Sequence, residues 1–149
     1  SIWLKFESKC KKKIIPTNVL KLSTQNLRQA GLSRQKITYL KNIAKAFKYK
    51  TFDLKKIKKM SDDDAINYIT QLKGLGVWSA QMFLMFNLNR KDIFPIKDIG
   101  LIRAISKNYK KPYPPSEKFI KKISNLHFGY RTVFTWYMWR SIDPVDVEY

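Results

Sequence analysis

With 149 residues, 44% of them hydrophobic and 14% aromatic, the chain has enough apolar material for one good-sized core, and a single domain over 1–149 is expected. The 30 lysines and arginines stand against 11 acidic residues for a net charge of +19, so a polyanion is the expected partner: nucleic acid first, an anionic membrane second, with a lysine-rich solvated surface as the plain alternative. One cysteine, Cys10, and one histidine, His127, exclude a disulfide framework, an iron–sulfur cluster or a Cys/His zinc site assembled from this chain alone, and no apolar run approaches the roughly 18 residues of a membrane span.

The pattern predicts helices throughout. SIWLKFESKCKKK has no signal-peptide order and reads as the tail of a helix, so an N-terminal truncation is expected. Ser23 is placed to cap a short helix ending at Gly31. Ser33 caps an amphipathic helix in which Ile37, Leu40, Ile43, Ala44 and Phe47 form one face and Lys36, Lys41, Lys45 and Lys48 the other. Asp53 starts a helix running to about Met60. Ser61 with Asp62, Asp63 and Asp64 is a strong helix start, because the hydroxyl caps free N–H groups and the carboxylates oppose the positive dipole end; a metal role for the triplet is the rival reading.

Helices near 62–70 and 78–87 are joined by Leu72-Lys73-Gly74-Leu75-Gly76-Val77. The glycines permit backbone conformations closed to other residues and close approach to another molecule, and the bare N–H groups opening the second helix suit an anion. A glycine helix stop followed by a tight turn explains the same residues without a ligand. From Ser79 to Leu88 the chain is apolar almost all round and is expected to be buried. The segment NRKDIFPIKDIG follows as a loop broken by Pro95, and Leu101, Ile102 and Ile105 resume a helical period. KKPYPP breaks the chain before a helix near 117–125, and an aromatic helix from Tyr130 to Ile142 stops at Asp143-Pro144. The fold class is therefore all-α, with roughly nine helices.

L-x-G-L-G-x-W-S-A, followed by F-P-x-x-D-x-G with Asp98 twenty positions after Trp78, resembles the helix-hairpin-helix DNA glycosylase superfamily, above all its 3-methyladenine DNA glycosylase II branch. The resemblance runs from about Ser1 through GLSRQKITYLKNIA to YRTVFTWYMWRSIDP and covers nearly the whole chain. It implies a multi-helix glycosylase fold with the hairpin at about 62–87 and the catalytic loop at about 88–100, lacking the family's earlier N-terminal helix. It also implies base flipping and hydrolysis of the N-glycosidic bond of alkylated bases in damaged double-stranded DNA, especially 3-methyladenine-like purines. The alternatives are a non-catalytic DNA-binding module or an inactive truncated glycosylase.

By resemblance Asp98 is the catalytic aspartate; its plain reading is a helix N-cap, and the two roles can coexist. Trp78 matches an aromatic of the base pocket and stands where lyase-competent relatives carry a lysine, which implies excision without strand cleavage. Met82, Ile99, His127 and Tyr130 match further pocket positions, with departures from the family's aromatics at Met82, Ile99 and His127; core packing explains Met82 as well, and a structural histidine explains His127. Lys73, Gly74, Gly76 and Val77 are the implied phosphate-binding residues. The carbonyls of Thr70, Leu72 and Leu75 are the implied ligands of a structural Na+ or K+; no cofactor is required and no iron–sulfur cluster is expected. A monomer without membrane contact is expected, cytoplasmic and nucleoid-associated in a bacterium or nuclear in a eukaryote.

Overall fold

The computed structural model describes residues 1–143, all of them in helices or connecting segments; Pro144, where the closing helix was expected to stop, lies outside the described residues. The described residues form ten helices: α1 (Ile2–Lys9), α2 (Pro16–Lys21), α3 (Thr24–Gln29), α4 (Arg34–Lys48), α5 (Leu54–Ile57), α6 (Asp62–Thr70), α7 (Val77–Phe86), α8 (Ile99–Asn108), α9 (Glu117–Leu126) and α10 (Arg131–Arg140). The chain divides into two compact units, one from Ser1 to Gly76 and one from Val77 onward.

In the first unit, local chemistry starts the helices where the sequence pattern expects. Ser23, Ser33, Asp53 and Ser61 each accept a backbone N–H with their side chains, from Asn26, Lys36, Lys55 and Asp64 respectively. The Ser61 hydroxyl also donates to Asp64 Oδ2 at 2.7 Å, so this carboxylate serves the cap. Helices α2 and α3 pack on α4, and Phe6, Cys10, Val19, Leu27, Ala30, Ile37 and Ala44 form the core between them. Burial pushes the Cys10 thiol pKa up. Beyond this core, Phe52 stacks on Tyr68 with ring centroids 4.6 Å apart.

Two elements depart from the sequence pattern. Helix α2, which the pattern leaves unmarked, has only six residues and starts with Pro at N1 after an extended Ile15, which is where proline's fixed φ favours a helix. The helix after Asp53 stops at Ile57 rather than near Met60: the N–H groups of Lys59 and Met60 donate to the carbonyls of Lys56 and Ile57, three residues back, so the chain goes on in tight turns.

In the second unit α8 packs against α10, with Leu101, Ile105, Ile123 and Phe134 at the core and Phe94, Phe119 and Met138 against it. Helix α7 is not buried all round. Ala80, Leu84 and Met85 face the interior, but Phe86 within the stretch expected to be buried is 43% exposed, and Val77 and Trp78 just before it are each 55% exposed. With Ser79 and Gln81 its only polar residues, α7 carries too weak a periodic signal to say which side stays open.

Candidate active site

The loop 87–98 of the second unit is tied to α10 before it reaches α8. The Thr132 hydroxyl donates to the Arg90 carbonyl and accepts from the Ile93 N–H, and the Thr132 N–H donates to the Lys91 carbonyl. Asp92 takes the Arg131 guanidinium in a two-pronged pair at 2.7 and 2.6 Å, and accepts from the backbone N–H groups of Gly129 and Arg131. The Arg131 hydrogen bond, more than any other influence, holds the Asp92 carboxyl below the usual carboxylate range.

The loop ends at Asp98, the N-cap of α8. Its Oδ1 accepts from the Leu101 N–H at 2.7 Å and from the indole N–H of Trp139 at 2.9 Å. Its Oδ2 accepts from the indole N–H of Trp78 at 2.8 Å. An ionised carboxylate oxygen offers about two lone-pair sites, so Oδ1 is filled and Oδ2 retains one. The cap therefore engages Oδ1 and leaves an acceptor site on Oδ2, the oxygen that meets Trp78.

Trp139 reaches Asp98 because α10 is anchored at one end and packed at the other. Arg131 holds its first turn, and Trp139, two turns on, stacks against Phe86 at 6.1 Å and is nearly buried. Gly100 clears the way: a Cβ there would lie 3.1 Å from Asp98 Oδ1 and 3.2 Å from Trp139 Nε1 and Cδ1. The glycine of D-x-G thus has a steric reason to lack a side chain.

Beside Asp98 opens a cavity of about 430 Å3, lined by Val77, Trp78, Gln81, Ile96, Lys97, Asp98 and Ile99. That volume falls in the ordinary range for small-molecule pockets. Trp78 spends its N–H on Asp98 but is more than half exposed, which leaves ring surface available to a ligand. Ile99 is 60% exposed at the rim.

The structure thus brings together Asp98, Trp78 and Ile99 of the expected site. Met82 is half-buried on α7 and is not among the lining residues. His127 ends α9, hydrogen-bonds the Ile123 carbonyl through Nδ1 and stacks on Phe134 at 3.9 Å. Tyr130 is the exposed N-cap residue of α10 and does not line the cavity. The sequence pattern marks Gly100 as the last residue of F-P-x-x-D-x-G without a role, and leaves Trp139, Gln81, Lys97 and the Asp92–Arg131 clamp unmarked.

The two hairpin glycines differ. Gly74 has φ +112°, and a Cβ on it would fall 2.3 Å from Tyr39 Cγ, so the turn and its packing already require glycine. Gly76 has open space around it, with no atom within 4 Å of a Cβ. Lys73 is exposed, and Val77 is the first residue of α7. Of the three carbonyls expected to hold a cation, that of Leu72 already accepts the Leu75 N–H at 2.9 Å.

Among the described residues no helix is long and apolar enough to cross a membrane. Residues 1–127 match the family of HhH-GPD superfamily base excision DNA repair proteins, a span that takes in all of the first unit and most of the second. The chain is 30% identical over 132 residues to DNA-3-methyladenine glycosylase 1 of Schizosaccharomyces pombe, covering 88% of this chain and 58% of that protein. It is 32% identical over 142 residues to the DNA-3-methyladenine glycosylase of Saccharomyces cerevisiae, covering 75% and 48%. The chain thus spans about half the length of these curated relatives. Among solved structures, the DNA-3-methyladenine glycosidase of Bacillus halodurans superposes with a TM-score of 0.82 at 28% identity over 94% of this chain and 65% of that one. The S. pombe 3-methyladenine DNA glycosylase in complex with abasic DNA gives 0.79 at 27% identity over 94% and 69%. The matched span, the hairpin and the Asp98 loop agree: this chain belongs to the HhH-GPD superfamily of base excision DNA repair proteins.

Proposed function

We propose that the chain is a monofunctional DNA glycosylase that flips an alkylated base, a 3-methyladenine-like purine above all, out of duplex DNA and hydrolyses its N-glycosidic bond to leave an abasic site. The observation that carries this reading is Asp98, anchored through Oδ1 and with acceptor capacity left on Oδ2, at the edge of a cavity walled by Trp78. The names of the relatives support the same substrate class.

The chemistry follows from the carboxylate. As the C1′–N bond lengthens, its electron pair moves to the base and the sugar carbon becomes cationic; Oδ2 stabilises that charge and takes up a proton from the attacking water. An alkylated purine carries positive charge and leaves as a neutral base. The same charge draws it to the Trp78 ring face by roughly 0.5–2 kcal/mol. Indole at position 78 has no amine to form a Schiff base with the sugar; Lys97 carries one in the cavity lining, and in this reading it stays off C1′ and the strand stays uncut.

Phosphate contacts from the N–H groups of Gly74, Gly76 and Val77, with Lys73 beside them, would hold the duplex without reading sequence. The open space at Gly76 favours close approach of a strand there. The neutral carbonyls of Thr70, Leu72 and Leu75 are hard oxygen donors suited to a Na+ or K+ that would stiffen the turn. In this reading the protein acts as a monomer, in the nucleoid-associated cytoplasm of a bacterium or the nucleus of a eukaryote.

Single-turnover release of base from methylated duplex DNA tests the proposal, with Asp98→Asn beside the unaltered chain. Release of alkylpurines that Asp98→Asn abolishes while still binding DNA, with no alkali-independent nicking and no borohydride-trapped adduct, is the expected result. DNA binding without release would favour a binding module, and a trapped adduct lost in Lys97→Gln would overturn the monofunctional reading.

A further inference from the structure

Helix α9 turns Ile120, Ile123 and Ser124 inward and keeps Lys118, Lys121, Lys122 and Asn125 on its exposed side. This i, i+3, i+4, i+7 spacing stacks the three lysines over about one turn, within about 6 Å along the axis. They line an open groove of about 1020 Å3 that shares no residue with the Asp98 cavity. No carboxylate among the described residues pairs with any of the three lysines. Glu117, the one acid of the lining, sits in the first turn of α9, where the helix dipole favours it.

The surroundings add cations and rings. The Lys111 ammonium lies 5.3 Å from the centroid of Phe119, a residue of the groove lining, and Tyr109 meets the same ring edge-on at 5.8 Å. Residues 107–126 contain six lysines and one acid. Lysines in file along a groove with an aromatic floor match what a nucleic-acid backbone asks for: charges at successive phosphates and an apolar surface beside them.

We propose that the Lys118/Lys121/Lys122 face of α9 is a second nucleic-acid contact, binding the phosphodiester backbone of a strand apart from the cavity. This rests on the DNA-binding part of the proposed function and adds a site to it. Such a contact reads no bases; it raises residence on undamaged duplex and leaves the chemistry at Asp98 untouched.

The test is fluorescence anisotropy of a labelled undamaged duplex across a salt series. It compares the unaltered chain, a Lys118→Gln/Lys121→Gln/Lys122→Gln triple, and an equal charge loss elsewhere, Lys55→Gln/Lys56→Gln/Lys59→Gln. All six positions are exposed, and circular dichroism checks that both triples fold. The α9 triple is expected to bind more than tenfold weaker at low salt and to flatten the log–log salt slope by about 0.9 per lysine, while the other triple moves it by less than half as much. Base release at saturating protein should be unchanged. Equal slopes for both triples, or an α9 triple that loses polyglutamate binding but keeps its DNA slope, would overturn the proposal. An unaltered chain that binds no DNA would overturn the wider DNA reading as well, which separates the two failures.

Discussion

Asp92 and Asp98 lie six residues apart on one loop, and hydrogen bonds hold both, yet their donors differ in charge. Asp92 faces the Arg131 guanidinium, accepts four hydrogen bonds and is spent on holding the loop to α10. Asp98 receives only neutral N–H groups, two indoles and one backbone amide, and borders a cavity. A guanidinium neutralises a carboxylate and removes it from chemistry; neutral donors orient it and leave its charge for a developing cation. The difference makes one aspartate a fastener and the other a candidate reactive group, and neither sequence position nor residue type alone says which.

The strongest way to break the comparison is to exchange the defects. Asp98→Asn should lower single-turnover base release by about 10²–10⁴, the usual worth of a positioned proton-transfer group, or roughly 3–5 kcal/mol of barrier. The amide oxygen can still accept the Leu101 and Trp139 N–H groups, while the Trp78 N–H loses its acceptor on a side chain more than half exposed, so the melting temperature should fall by no more than a few degrees. If Asp98→Asn releases base at the unaltered rate, the cap is its whole role.

Asp92→Asn should do the reverse. Arg131 loses its carboxylate in a site where both side chains are three-quarters or more covered, which costs about 1–3 kcal/mol, and at roughly 2–4 °C per kcal/mol the melting point should fall by several degrees. Release measured well below that temperature should hold within about threefold. A rate loss as large as that of Asp98→Asn, with an unchanged melting point, would mean the two carboxylates do not divide the work this way.

Acid sharpens the same contrast. The folded-state pKa of Asp92 is depressed, so its stabilisation is fully present above the unfolded value of about 3.9 and is lost as pH falls through the lower folded value. The melting-point gap between the unaltered chain and Asp92→Asn should therefore be constant from pH 7 down to about 5 and should close below about 4. A gap that persists at the lowest pH would assign the loss to packing rather than to charge.

Much of this was legible in the sequence where the chemistry is local. Ser23, Ser33, Asp53 and Ser61 announce their helices because a cap acts over two or three residues. Asp98 and Trp78 stand at fixed positions of a short compound motif, with Ile99 beside Asp98. The clamp and Trp139 have no such signal, since Arg131 lies 39 residues from Asp92 and Trp139 lies 41 from Asp98. Four tryptophans in the chain look alike as letters; only packing selects Trp139 to join Trp78 in bringing an N–H to the carboxylate. The open side of α7 is unmarked because its two polar residues, Ser79 and Gln81, are too few and too close together to set a helical phase.

The smallest expected effect concerns the residue that lets that indole arrive. Gly100→Ala would place a Cβ 3.1–3.2 Å from Asp98 Oδ1 and from the Trp139 ring, tighter than ordinary contact, and Trp139 is nearly buried with Phe86 behind it. The indole cannot retreat freely, so the carboxylate has to tilt by a few tenths of an ångström. Alanine also favours the helix over glycine by roughly 1 kcal/mol, which offsets part of the strain, so stability should change little. Release should nonetheless slow, by about tenfold, since the rate depends on where Oδ2 points. Trp139→Phe supplies the control, because it removes the N–H donor while retaining a ring. If both substitutions slow release alike with DNA affinity unchanged, the hydrogen bond orients Asp98; if Gly100→Ala is silent and Trp139→Phe is not, the indole matters through its stacking surface and the close approach at Gly100 is incidental.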